Sequence, residues 1–175
     1  MGSEANIEPV EELASEPTII NKLVTWGYKK YSGSREIDTI IIHSAYDALG
    51  DDPYSVEGVI KEFRTYQVSP HYLIDREGSI YQLVDDNNIA YHAGVSEMPD
   101  GRIGVNNFSI GIELIYHQSE SPNEAQYQSL AKLVKYKAEA YNIPLANILG
   151  HEAVAPGRKT DPWNFDWGKF EKMIE

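Results

Sequence analysis

The sequence contains no cysteine. Disulfides, thiolate nucleophiles and thiolate metal ligands are therefore excluded, and any metal site has to be built from imidazole and carboxylate. Basic residues are also scarce, with 15 Lys and Arg against 27 Asp and Glu and a formal net charge of -12. That surplus opposes binding to the nucleic-acid backbone or to an anionic membrane surface. No apolar run is long enough to span a bilayer, and the opening MGSEANIEPVEELASEP has neither the basic n-region nor the apolar stretch of a signal peptide. The expectation is a soluble, monomeric protein with no nucleic-acid or membrane partner, for which extracellular and cytoplasmic settings both stay open.

What is present describes one core of ordinary size, because 175 residues are too few for two independent domains. Residues 1–35 read as an acidic arm followed by an irregular extension packed on the domain, and residues 36–175 as the domain itself. In IDTIIIHS (37–44) the β-branched run predicts a strand buried on both faces, with His43 at its carboxyl end. Ser55 is the expected N-cap of a helix reaching Tyr66, in which Val56, Val59, Ile60 and Phe63 recur at helical spacing. HYLIDREGSIYQLVDD (71–86) reads as a hairpin turning at Arg76-Glu77-Gly78-Ser79.

SIGIELIY (109–116) alternates so that Glu113 leaves the strand on the face opposite Ile110, Ile112 and Leu114. A helix is expected over Glu124–Tyr141, ended by Asn142 and Pro144; a strand-like NILG follows, then a loop over 151–163 and a short helix over Trp167–Ile174. Strands interleaved with helices, plus a hairpin, indicate an α/β fold in a single domain, with a central mixed β-sheet flanked by helices.

Five histidines occur, His43, His71, His92, His117 and His151. Taken singly, each is an ordinary structural histidine, and spacing does not choose among them. Several separated motifs taken in order do. HEAVAPGRKTDP, together with IIIHSAY, SPHYLIDREGSIYQLV, AYHAGVS and NNFSIGIEL, resembles the zinc amidase family that includes bacterial N-acetylmuramoyl-L-alanine amidases, phage lysozymes of amidase type and animal peptidoglycan recognition proteins. The likeness covers roughly residues 37–170.

The resemblance implies one catalytic Zn2+ held by His43, His151 and Asp161, and hydrolysis by metal-activated water of the amide between the lactyl group of N-acetylmuramic acid and L-Ala in peptidoglycan or muropeptides. Two imidazoles and one carboxylate are an accepted catalytic zinc set. Glu113 matches the family's general base and Lys159 a residue that stabilises the oxyanion. His92, in a motif that lines the family's substrate groove, is a candidate substrate contact, with a structural hydrogen-bonding role as the alternative. Tyr46, Asn106, Arg102 and Arg158 are further candidate contacts, the arginines because a guanidinium offers a bidentate fork to a peptide carboxylate. His71 is expected to orient the hairpin.

The chain departs from the members that recycle anhydro-muropeptides at one place. Where a basic residue is expected shortly before the Asn motif, it has Ile103-Gly104-Val105. The alternative function is a module that binds peptidoglycan fragments without cutting them. Non-catalytic members of the family commonly lose a zinc ligand, whereas this chain keeps all three.

Overall fold

The structure, a computed structural model, describes residues 15–175. Most of the acidic arm therefore lies outside the described residues. The part of the extension that is described is more regular than expected: it carries strand β1 (Ile19–Asn21), which pairs in parallel with β5 (Ile80–Gln82), and β2 (Tyr28–Lys29), which pairs with β6 (Ile89–Ala90). The partners lie some sixty residues away, so no local pattern announces them.

The main sheet has six strands in the order β1-β5-β4-β7-β3-β8, where β3 is Thr39–Ala45, β4 is Tyr72–Ile74, β7 is Ser109–Ile115 and β8 is Ile148–Gly150. β4, β7, β3 and β8 run parallel, and β5 turns back against β4 through the expected hairpin. The sheet is mixed, as the sequence indicates. Gly78 occupies the hairpin's left-handed position (φ 83°), and a Cβ there would meet the Ala125 carbonyl at 2.8 Å.

Among the described residues four α-helices accompany it: α1 (Val56–Tyr66), α2 (Glu124–Tyr141), the single turn α3 (His151–Val154) and α4 (Trp167–Ile174). Ser55 caps α1 by accepting the Gly58 N–H, a contact of about 1 kcal/mol. Asn123 and Gln126 form a capping box at the start of α2, and the fully buried Gln126 also donates to the Ile115 carbonyl at 2.8 Å, tying the helix to the end of β7. The late loop is shorter than expected because His151–Val154 coils into α3.

Alternation along the strands divides the core. Ile40, Ile42, Ile110, Ile112 and Leu114 pack beneath α2 and α4, against Leu130, Leu133, Val134 and Phe170. On the opposite face the cover is split: Val59 and Phe63 of α1 lie over Leu73 and Ile115, while Ile41 packs with Ala93, Met98, Val105 and Val154. His43 and Glu113 emerge where the two clusters part. Among the described residues no helix is long and apolar enough to cross a membrane.

A buried polar cluster locks α2 to the sheet. Asp86 accepts from Lys137 Nζ (2.6 Å) and the Tyr141 hydroxyl (2.8 Å) through Oδ2, and from the Tyr72 hydroxyl (2.6 Å) through Oδ1. Burial pushes the Asp86 carboxyl up, but the Lys137 ammonium and the hydroxyls outweigh it and hold it below the usual carboxylate range. A depressed carboxyl contributes stability that is present above its unfolded value, near 4, and lost as pH falls through its folded value. Lys137→Ala leaves that charge buried and unpaired, so we expect a loss of about 3 kcal/mol at pH 7 that shrinks as pH drops through about 4. Urea unfolding of both proteins at pH 7 and pH 3.5 checks this, and an equal gap at the two values would contradict it.

Candidate functional site

Adjacent strands bring the first two groups together. β3 and β7 run parallel with His43 opposite Glu113, so both side chains leave one face of the sheet near the carboxyl ends of interior strands. β8 flanks β3 on its other side and ends at Gly150, so that His151, the next residue, opens α3 beside His43. The chain then returns: the Glu152 N–H donates to the Asp161 carbonyl at 2.9 Å, which carries the Asp161 side chain to the two histidines.

His43 Nδ1 and His151 Nδ1 are 3.0 Å apart, and Asp161 Oδ2 lies 3.3 Å from the first and 3.1 Å from the second. A tetrahedral ion with ligands at about 2.0–2.1 Å spaces them roughly 3.3 Å from one another, so the three atoms fit one face of such a shell. All three side chains are buried. Burial pushes His43 down to about 4, against the opposing influence of Asp161. Burial pushes the Asp161 carboxyl up, yet the His151 and His43 rings outweigh it and hold it far below the usual range.

An uncharged His43 beside an ionised Asp161 is the protonation state that metal ligation requires. His151 is prepared in another way. Its Nε2 faces the Ala93 carbonyl at 3.1 Å, and a carbonyl only accepts, so in the neutral ring the proton sits on Nε2 and Nδ1 keeps its lone pair. The donor set therefore fits a divalent cation.

Glu113 stands beside this set with Oε2 buried and without a hydrogen-bond partner among the described residues. Burial pushes its carboxyl well above the usual range, the Asp161 charge adds to the push, and the Lys159 ammonium partly opposes it. A carboxyl so placed exchanges protons closer to neutral pH than a solvated one does. A cleft of about 580 Å³ opens over the group, and Tyr46, Arg158 and Lys159 line it with Glu113, His151 and Asp161.

The remaining residues picked out in the sequence divide. Tyr46 lines the cleft with its ring 4.8 Å from His117 and 6.0 Å from Trp163, centroid to centroid. Arg158 also lines it, and its Nη2 donates to the carbonyls of Ala93 and Val95, each at 2.6 Å. His92 lines it too, with Nδ1 2.9 Å from His43 Nε2. Asn106 turns its side-chain oxygen to the backbone N–H groups of His92 (3.2 Å) and Ala93 (2.8 Å).

Arg102 is not brought to the cleft. Its guanidinium pairs with Asp38 (2.7 Å) and Asp100 (2.9 Å) and lies 4.4 Å over the Phe108 ring. His71 holds the hairpin to β7 by accepting the Gly111 N–H at 3.0 Å. The cleft also contains Tyr66, Tyr91 and Trp163, which the sequence reading did not select. Two of them carried a signal: Tyr91 adjoins His92 within AYHAG, and Trp163 closes TDPW.

Three converging ligands predict stoichiometric binding of one divalent cation. At a free concentration of about 100 times its dissociation constant the cation should stabilise the fold by about 2.7 kcal/mol, and Asp161→Ala should abolish that gain. Thermal unfolding with and without added metal measures it; an equal rise in the variant would place the cation elsewhere.

Comparison with known proteins identifies the family of the chain. A sequence family described as N-acetylmuramoyl-L-alanine amidase matches residues 33–164. The chain is 42% identical over 114 residues to the 1,6-anhydro-N-acetylmuramyl-L-alanine amidase AmpD of Escherichia coli, a match that covers 65% of this chain and 62% of that protein. It is 38% identical over 112 residues to E. coli N-acetylmuramoyl-L-alanine amidase AmiD, covering 55% of this chain and 40% of that one. The matched stretch thus spans less than two thirds of these relatives' own length.

A crystal structure of an AmpD derivative superposes with a TM-score of 0.77 at 29% identity, covering 94% of this chain and 98% of that one. E. coli AmiD in complex with anhydro-N-acetylmuramic acid-L-Ala-D-gamma-Glu-L-Lys superposes at 0.69 with 26% identity, covering 84% and 65%. With a family match across three quarters of its length and the fold of the solved members, the chain belongs to the N-acetylmuramoyl-L-alanine amidase family.

Proposed function

We propose that this protein is a zinc-dependent N-acetylmuramoyl-L-alanine amidase that hydrolyses the amide between the lactyl group of muramic acid and L-Ala in muropeptides. The observation that carries this reading is the convergence of His43 Nδ1, His151 Nδ1 and Asp161 Oδ2 within 3.3 Å of one another, beside a buried and unpartnered Glu113. The names of its relatives, and the muramyl tripeptide held by E. coli AmiD, supply the substrate class.

His43, His151 and Asp161 would hold the ion, and the absence of thiolates, with two imidazoles and one carboxylate as donors, suits zinc. When bound, zinc supplies Lewis acidity that polarises the scissile carbonyl and makes water a better nucleophile near neutral pH. Glu113 takes a proton from the attacking water and returns it to the departing amine of L-Ala. Its raised affinity for protons suits both transfers. Lys159, on the wall of the same cleft, offers a positive charge to the oxygen on which negative charge develops.

Recognition falls to local groups, because the protein and the muropeptide carboxylates are both anionic. Arg158 and Lys159 are cations at the cleft, and Tyr46 lines it beside them. The alternative, a module that binds without cutting, fits the retained ligand set and the unpaired Glu113 less well.

Incubation with anhydromuramyl tripeptide, followed by chromatography and mass spectrometry, should show free tripeptide; chelation should stop its release and zinc restore it. Glu113→Gln should lower kcat by roughly 10²–10⁴-fold while leaving zinc affinity near wild type. Binding of the muropeptide by zinc-loaded protein with no cleavage at high enzyme concentration would establish the module instead.

A further inference from the structure

The outer nitrogen of His43 faces an unusual partner. A metal-binding histidine ordinarily donates its second N–H to a carboxylate, a carbonyl or water, which fixes the tautomer. His151 follows that pattern at Ala93. His43 Nε2 instead meets another imidazole, His92 Nδ1, at 2.9 Å. Two imidazoles in contact leave open which of them donates, so the tautomer of His43 depends on whatever fixes His92.

That residue is Ser109. Its hydroxyl carries one proton and lies 2.7 Å from the Val105 carbonyl, which only accepts; the proton of Ser109 is therefore directed to Val105. His92 Nε2 lies 3.1 Å from the same oxygen and must be the donor in that contact. In a neutral ring with its proton on Nε2, Nδ1 carries a lone pair and accepts from His43 Nε2. His43 Nδ1 is then bare, and it is the nitrogen that faces Asp161.

The surroundings hold His92 to this task. A Cβ built on Gly111 would stand 2.6 Å from His92 Nδ1, so the ring fits only because β7 has no side chain there. Asn106 Oδ1 accepts both the His92 and the Ala93 N–H, and Ala93 is the residue whose carbonyl orients His151. Residues 92 and 93 thus support the outer nitrogens of both histidines, anchored by one asparagine. Ser109 is fully buried, so water does not compete at its oxygen.

We propose that His92 is a positioning residue for the metal site, locked by Ser109 in the tautomer that holds the proton of His43 on Nε2 and leaves Nδ1 free to ligate. Asn106 serves the same end through the backbone. This rests on the reading of His43, His151 and Asp161 as metal ligands. It differs from a substrate-contacting role because its effect is exerted on the free protein, before any substrate is bound.

Two measurements test it. Long-range ¹⁵N–¹H correlation spectra of the metal-free wild-type protein should show His43 and His92 both protonated on Nε2, and Ser109→Ala should give a mixture of tautomers at both rings. A proton on His43 Nδ1 in the wild type would overturn the proposal. In chelator competition, His92→Ala should weaken zinc binding by about 10–100-fold. His92→Asn, whose side-chain oxygen stands where Nδ1 stood, should recover most of that loss. His92→Ala binding zinc as tightly as wild type, or His92→Asn as weak as His92→Ala, would count against it. Wild-type protein that binds no zinc would overturn the amidase reading, and the spectra of the metal-free protein would still decide the tautomer.

Discussion

The parallel pairing of β3 with β7 is the constraint on which the rest of the site hangs. Its register sets Ile40 beside Ile110, Ile42 beside Ile112 and His43 beside Glu113. Side chains alternate with a period of two, so the same register that delivers the isoleucines to α2 and α4 delivers the imidazole and the carboxylate to the opposite face. A slip of one residue would put His43 into an apolar core and isoleucines into the cleft. The cost of burying an unpaired polar group there, added to the loss of apolar burial, makes the register stringent.

The regular elements of this fold were legible because each depends on local chemistry. The β-branched run of β3, Ser55 before α1, the glycine turn of the hairpin and the periodicity of α2 all lie within a few residues of the structure they specify. What escaped depends on distant partners. β1 is three residues long and is a strand only because β5 is beside it. Arg102 looked available for a ligand, yet it is taken by Asp38, 64 residues away in sequence.

The site was legible in a different sense. Nothing in the spacing of five histidines singles out His43 and His151; the order of several motifs does, through family resemblance, and the fold brings those two together with Asp161. The roles beyond the ligand shell are harder still. His92 and Asn106 sit in motifs near the cleft, which suggests contact with substrate, while their hydrogen bonds run to His43, Ser109 and the backbone of residues 92 and 93. A string of letters gives proximity to a site but not the direction in which a proton is donated.

Gly111 shows how far such dependence extends. It carries no functional group, and it lies within a β-strand, where glycine is ordinarily a weakness. Because the imidazole of His92 occupies the space above it, even a methyl group displaces that ring and, through it, His43. A survey of tolerated substitutions should therefore rank position 111 with His43, His151 and Asp161: here mutational intolerance reports a reserved volume, and the map of residues that cannot change is larger than the map of residues that react.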